Sequence, residues 1–261
     1  MDSNIENYRL ETDKYGKKWS EEETILAYYY YCKIPFGKIH KGNPKIIEIA
    51  NMLGRTPSSV VFKMGNIGHF DPELRKKNIT GLKNASKLDE YVVQQFYSDW
   101  ESLADKARKI EVSMTTKNNS DIEVSLPLGE DIIVETKRRA NQAFFREAVL
   151  SSYKNTCCIT GINVPTLLIA SHIKPWAISN PQTERTNPSN GLCLNALHDK
   201  AFDKGLITIL PDYTIKVSSK LKKTDNVEWL LQCEGNKIIL PEKFYPSREF
   251  LEYHNDVIFV S

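Results

Sequence analysis

No stretch of this 261-residue chain is apolar enough for long enough to cross a bilayer. The charge-free run 156–171 falls short of the roughly 20 residues a spanning helix needs, and Gly161, Asn163 and Pro165 interrupt it. The opening residues, MDSNIENYRLETDKYGKKW, hold neither an apolar segment nor a small-residue cleavage site, so nothing here marks secretion. Cysteine is scarce as well. The five present (Cys32, Cys157, Cys158, Cys193 and Cys233) are irregularly spaced and form no CxxC pair, which argues against a disulfide framework or zinc knuckles. They read as small core residues of a cytoplasmic protein. A large charge imbalance is also missing: the net charge is +2. That small total conceals three blocks. Residues 1–84 carry 14 Lys/Arg against 10 Asp/Glu, residues 85–135 carry 5 against 11, and residues 136–261 carry 16 against 12. Two mildly basic blocks around an acidic middle could grip a polyanion at two places.

What is present is a globular composition, 41% hydrophobic and 26% charged, in a chain long enough for two domains. In KWSEEETILAYYYYCKI, Ser20 and Glu23 fit a capping box ahead of an apolar and aromatic helix. In PKIIEIANMLGRTPSSVVFKMGNIGHF, Ile46, Ile49, Ala50 and Leu53 recur at helical spacing, Gly54 stops the helix, and Thr56 with Pro57 starts another. This helix-turn-helix pattern would pack Val60, Val61 and Met64 inward and offer Ser58, Ser59, Lys63 and Asn66 to a DNA major groove. Led by Trp19, the segment resembles the Myb-like and helix-turn-helix three-helix domains. Residues 86–112 read as a further helix, a spacer, and 113–136, interrupted by Pro127 and Gly129, as a partly ordered linker.

After the linker, KRRANQAFFREAVLSSYKNTCCITG reads as a helix with Phe144, Phe145, Ala148 and Val149 on its apolar face and Arg138, Arg139 and Arg146 on a basic edge. An apolar strand then delivers Ser171 and His172 in ASHIKPW (170–176), where Pro175 turns the chain away. A loop rich in Asn, Pro and Thr leads to NGLCLNALHDKAFDKGLI (190–207), a strand followed by a helix bearing His198 and Asp203. In the closing segment Ile207, Ile209, Ile215 and Val217 alternate around Pro211 and Asp212, the pattern of a β-hairpin.

The blocks CITG, ASHIKPW and NGLCLNALHDKAFDKG resemble, in that order, a bacterial branch of the HNH endonuclease family over about residues 137–218. The resemblance implies an α+β protein. A helical helix-turn-helix-like domain (1–84) and a helical spacer and linker (85–136) would precede a ββα-metal HNH nuclease domain with a β-hairpin (137–261). It assigns the general base to His172, loop framing to Asn190, and a divalent metal to His198, with Ser171 at the position of a second ligand; Asp199 or Asp203 could complete the shell, directly or through water. Many relatives carry aspartate where Ser171 stands, which thins the expected ligand shell.

The chemistry has its own logic. Phosphodiester hydrolysis needs a base for water and a cation for the developing charge, and histidine suits the first near neutral pH. Magnesium or manganese is expected, and a nitrogen ligand also admits nickel or zinc. Lys174 and Arg185 join the basic helix edge as expected phosphate contacts. The expected partner is double-stranded DNA, cut by a restriction or defence enzyme, with a homodimer attractive for double-strand breaks. The competing reading is a DNA-binding regulator whose HNH domain has lost its metal.

Overall fold

The computed structural model describes residues 14, 16–71, 74–75, 85–118 and 130–261, with backbone alone for 116–118 and 130–135. Helix and strand are mixed, and among the described residues the strands all lie in the C-terminal half, an α+β architecture. The chain divides into two compact units, 1–141 and 142–261.

In the first unit, α1 (Glu21–Lys33), α2 (Pro44–Leu53) and α3 (Pro57–Gly68) begin and end at residues suited to the task. The Ser20 hydroxyl accepts from Glu23 N–H while the Glu23 carboxylate accepts from Ser20 N–H, the reciprocal capping box. Asn43 and Thr56 cap α2 and α3, each followed by proline, and Gly54 leaves α2 in the left-handed region at φ 62°. The expected spacer is instead two helices, α4 (Lys87–Phe96) and α5 (Trp100–Asn118), which pack on α1 and belong to the same unit rather than standing apart as a rod. Residues 119–129 of the expected linker, including Pro127 and Gly129, lie outside the described residues. The next helix, α6 (Glu130–Ser152), starts earlier than the sequence suggests.

The interior of this unit contains charge. Glu23, 3% exposed, meets Arg55 Nη2 at 2.6 Å, and Lys63 meets Asp89 at 2.5 Å with both side chains buried. Trp19 covers both cations, its ring 4.3 Å from the Arg55 guanidinium carbon and 4.9 Å from Lys63 Nζ. Burial pushes the Glu23 carboxyl up, but Arg55, Lys14 and the Ser20 N–H outweigh it and hold the carboxyl below its ordinary value. The pattern therefore misplaces Lys63. It points inward, because Asp89 on α4 neutralises it there, and it is not part of an outward reading face.

The second unit holds the C-terminal part of α6 and two small antiparallel sheets. Strand β1 (Leu168–His172) pairs with β2 (Gly191–Asn195) in the register His172 to Gly191 and Ser171 to Leu192. Helix α7 (Ala196–Asp203) follows β2 directly, and β3 (Ile207–Ile209) and β4 (Ile215–Val217) form the second hairpin. A core of Phe145, Val149, Leu168, Leu192, Leu194, Phe202 and the β3–β4 isoleucines joins them. Gly191 is there because α6 comes so close: a Cβ at 191 would stand 2.3 Å from Val149 Cγ2 and 3.0 Å from Phe145 Cζ. All five cysteines are buried free thiols.

Candidate active site

His172 ends β1, and every contact around it fixes the ring. Its plane stacks on Phe145 at 3.7 Å, with Trp176 edge-on at 5.5 Å. Nε2 lies 2.9 Å from the main-chain carbonyl oxygen of Arg185. A carbonyl can only accept, so Nε2 carries the proton and Nδ1 is the ring's acceptor. Burial pushes the imidazole pKa down, and the Arg185 bond raises it only in part, so it settles at about 4. The ring is neutral at physiological pH, the state a proton acceptor requires.

Asn190, fully buried, holds the loop that supplies this carbonyl. Its Oδ1 accepts from Lys174 N–H at 2.8 Å, and its Nδ2 donates to the carbonyls of Lys174 at 3.1 Å and Glu184 at 3.2 Å. Main-chain Ile173 N–H donates to Asn190 O at 2.9 Å. One amide side chain thus ties the start of the loop to its end and places Arg185 O over His172. Beside the ring is a pocket of about 220 Å³, lined by Gln142, Phe145, Arg146, Ile169 and Trp176 as well as His172. Arg146 is the cation in that lining, and its Nη2 donates to Leu168 O at 2.9 Å.

His198 lies in different surroundings. Its Nδ1 is 3.0 Å from Asn195 Oδ1, which also accepts from the N–H groups of Leu197 and His198 as the cap of α7. Asn195 in turn donates from Nδ2 to Thr160 Oγ1 at 3.1 Å and from its main chain to Cys157 Sγ at 3.3 Å. The His198 ring meets Trp229 edge-on at 6.3 Å, and burial lowers its pKa. With Nδ1–H donated to Asn195, Nε2 keeps a lone pair, and it is buried with no hydrogen-bond partner. No contact of the described residues joins His198 to His172.

A family profile described as HNH endonuclease matches residues 157–210, which contain β1, the loop, β2, α7 and β3. The C-terminal unit contains an HNH endonuclease domain. In addition, a subunit of DNA polymerase alpha from Saccharomyces cerevisiae is 29% identical over 108 residues, covering 38% of this chain. The chain matches 14% of the length of that relative.

Side chains alternate along a strand, so Ser171 leaves β1 on the face opposite His172. The Ser171 side chain, 2% exposed, lies against the Asp199 carboxylate and lowers its pKa. Burial outweighs that influence and raises Asp199 overall. Asp203, one turn on, is raised by burial and then by the charge of Asp199. No group of three or more His, Cys, Asp or Glu side chains among the described residues closes into a metal shell.

The basic residues named from sequence divide. Lys174 is ion-paired to Glu184 at 2.7 Å, and Arg185 donates from Nε to the carbonyls of Trp176 and Ser179 at 3.1 Å while lying over Trp176. Both hold the loop together and are committed to it, a correction to their reading as phosphate contacts. Arg146 lines the pocket, and Arg138 and Arg139 are exposed on α6. In the first unit, Ser58 is exposed, Ser59 and Asn66 are half-buried, and Lys63 is buried.

Sequence reasoning missed Asn195, Phe145 and Phe62, the last 59% exposed on α3. Asn195 carried a signal, since an asparagine before a helix is a cap. Phe145 was seen only as an apolar face. No helix among the described residues is long and apolar enough to cross a membrane.

Proposed function

We propose that this protein is a metal-dependent DNA endonuclease of restriction or defence type, acting in the cytoplasm. The observation that carries the reading is the single orientation imposed on His172: Nε2 is anchored on Arg185 O, and Nδ1 remains the acceptor beside a pocket that Arg146 makes positive. In this reading Nδ1 takes a proton from water as the water oxygen bonds to phosphorus and the bond to the 3′ oxygen breaks. The products are a 5′ phosphate and a 3′ hydroxyl. Arg146 holds a phosphate oxygen, and Asn190 positions the base through the loop. A bound divalent cation supplies charge neutralisation at the scissile phosphate and leaving oxygen.

The first unit would grip duplex DNA, with Ser58, Ser59 and Asn66 of α3 toward the groove. The regulator reading is favoured by one observation, serine at position 171 in place of a carboxylate. One experiment decides between them. The full chain, incubated with plasmid, phage and modified DNA in magnesium or manganese, should nick or cut in a chelator-sensitive way, and His172→Ala should stop cutting while DNA binding persists. Binding without any metal-dependent cleavage would favour the regulator, and full activity in His172→Ala would remove the mechanism.

A further inference from the structure

The pocket beside His172, about 220 Å³, is walled mostly by carbon: the rings of Phe145, His172 and Trp176 with Ile169 and Ala170. The rings are locked against one another. His172 stacks on Phe145 at 3.7 Å, Trp176 stands edge-on to it at 5.5 Å, and the Arg185 guanidinium lies 5.5 Å from the Trp176 ring centre. A phosphate alone does not call for such walls, because an apolar surface strips water from an anion and returns nothing. A nucleobase does, since its flat faces stack on aromatic side chains and its polar atoms lie at its edge. The size also fits, given that a cavity of about 150 Å³ takes up benzene. Gln142 and Arg146 complete the lining, exposed, four residues apart and so on one face of α6. Arg146 is steadied by its bond to Leu168 O at 2.9 Å, and the Gln142 amide offers a base edge both a donor and an acceptor.

We propose that this pocket takes one unstacked nucleobase of the DNA strand, packed against Trp176 and read at its edge by Gln142, while Arg146 holds a phosphate of the same nucleotide. A base inside a continuous duplex has both faces covered by its neighbours, so the nucleotide leaves the stack to enter, and a substrate in which it is already unpaired avoids most of that cost. The preferred substrate is therefore duplex DNA carrying an unpaired nucleotide, and Trp176 and Gln142 are the residues that select it. The proposal rests on the nuclease reading for its purpose but not for its test.

The test is binding of the full chain, with a chelator present so that nothing is cut, to three fluorescent duplexes of one sequence: fully paired, with one bulged adenine, and with one bulged abasic residue. Fluorescence anisotropy should show the adenine bulge bound at least tenfold tighter than either of the others. The abasic bulge loosens the duplex in the same way but has no base to insert, so it separates pocket binding from flexibility. In Trp176→Ala, checked for folding by its far-ultraviolet spectrum, the two bulges should bind within about twofold of each other. Gln142→Ala, at an exposed position, should cut the preference at least threefold. Each is a ratio within one protein, which a general loss of affinity cannot imitate. Equal binding of the two bulges by the parent, or the full preference kept by either folded variant, would overturn the assignment. Chelator-sensitive cutting of DNA alongside those results would leave the nuclease reading intact. The adenine preference as described, with no cleavage of any DNA in magnesium or manganese, would sink the nuclease reading and keep the pocket.

Discussion

Ser171 and His172 are consecutive on β1, and their side chains leave the hairpin on opposite faces, one against Asp199 and the other against Phe145. A single peptide unit fixes the distance between their backbones, since adjacent Cα atoms are about 3.8 Å apart. The two faces therefore stay in register without any loop movement. Two helices hold the arrangement: α6 covers the His172 face, where Gly191 admits Phe145 and Val149, and α7 covers the Ser171 face.

The protonation state of His172 predicts an unusual acid limb. A base works when deprotonated, and this imidazole is pushed down to about 4, so cleavage should be level from neutral pH down to about 5. Below about 4 it should fall tenfold per pH unit. Single-turnover cleavage of a plasmid across that range, with metal saturating, measures it. A limb centred near 6.5 would show that the ring is not buried as described. His172→Ala should lower the rate by roughly 10²–10⁴-fold, the usual contribution of a positioned base.

Much of this was readable from residues because it is local. Caps at Ser20, Asn43 and Thr56, the alternation in β3 and β4, and the order of His172 and Asn190 all act over a few positions or one short loop. Contacts across long separations were not readable. Lys63 looks like an outward cation until Asp89, 26 residues on, is found beside it. How α7 is rotated against β1 depends on Cys157 and Thr160, more than thirty residues before the Asn195 that caps it. The loop cations misled for a related reason. Closing 173–190 around Asn190 creates unpaired carbonyls and a carboxylate, which Arg185 and Lys174 then satisfy.

Asn190→Ala should cost both stability and activity. It strands Lys174 N–H, worth about 1–3 kcal/mol when buried, and takes one donor each from the Lys174 carbonyl, which keeps the Ser179 hydroxyl, and the Glu184 carbonyl, which keeps Asn187 N–H. Its second effect is an opened loop: solvent reaching His172 should raise its pKa toward the ordinary histidine value by more than the loss of the Arg185 bond lowers it. Nuclear magnetic resonance titration of the ring separates this positioning role from general destabilisation. A variant that loses stability but keeps His172 near 4 would show that the loop holds without Asn190.

Lys63→Ala tests the correction in the first unit. If Lys63 read DNA, its loss would weaken binding and spare the fold. Because it neutralises Asp89 inside the unit, its loss should instead leave a buried carboxylate unpaired and cost about 3–5 kcal/mol in denaturant unfolding. Lys63→Ala together with Asp89→Ala should recover part of that loss, since neither charge is then stranded. Unchanged stability with weakened DNA binding would restore the outward reading.

His254 sets the acid stability of the C-terminal unit. It is 1% exposed, stacked on Phe202 at 3.7 Å; Nδ1 accepts from the Thr208 hydroxyl at 2.8 Å, and Nε2 donates to Phe202 O at 3.2 Å. Burial pushes its pKa down and the Phe202 bond raises it in part, leaving it at about 4. Between that value and the ordinary 6.5 the unfolded chain binds a proton that the folded chain refuses, so stability rises with pH across the window. The contribution is fully present above about pH 6.5 and is lost as pH falls toward 4, at most about 3 kcal/mol for a shift of this size. Urea unfolding of the full chain followed through Trp229 should therefore show a midpoint that climbs from pH 4.5 to pH 7. In His254→Gln, which cannot titrate, the climb should be shallower by the share His254 supplies, and an equal slope in parent and variant would place the acid sensitivity elsewhere, with His172 the next residue to replace.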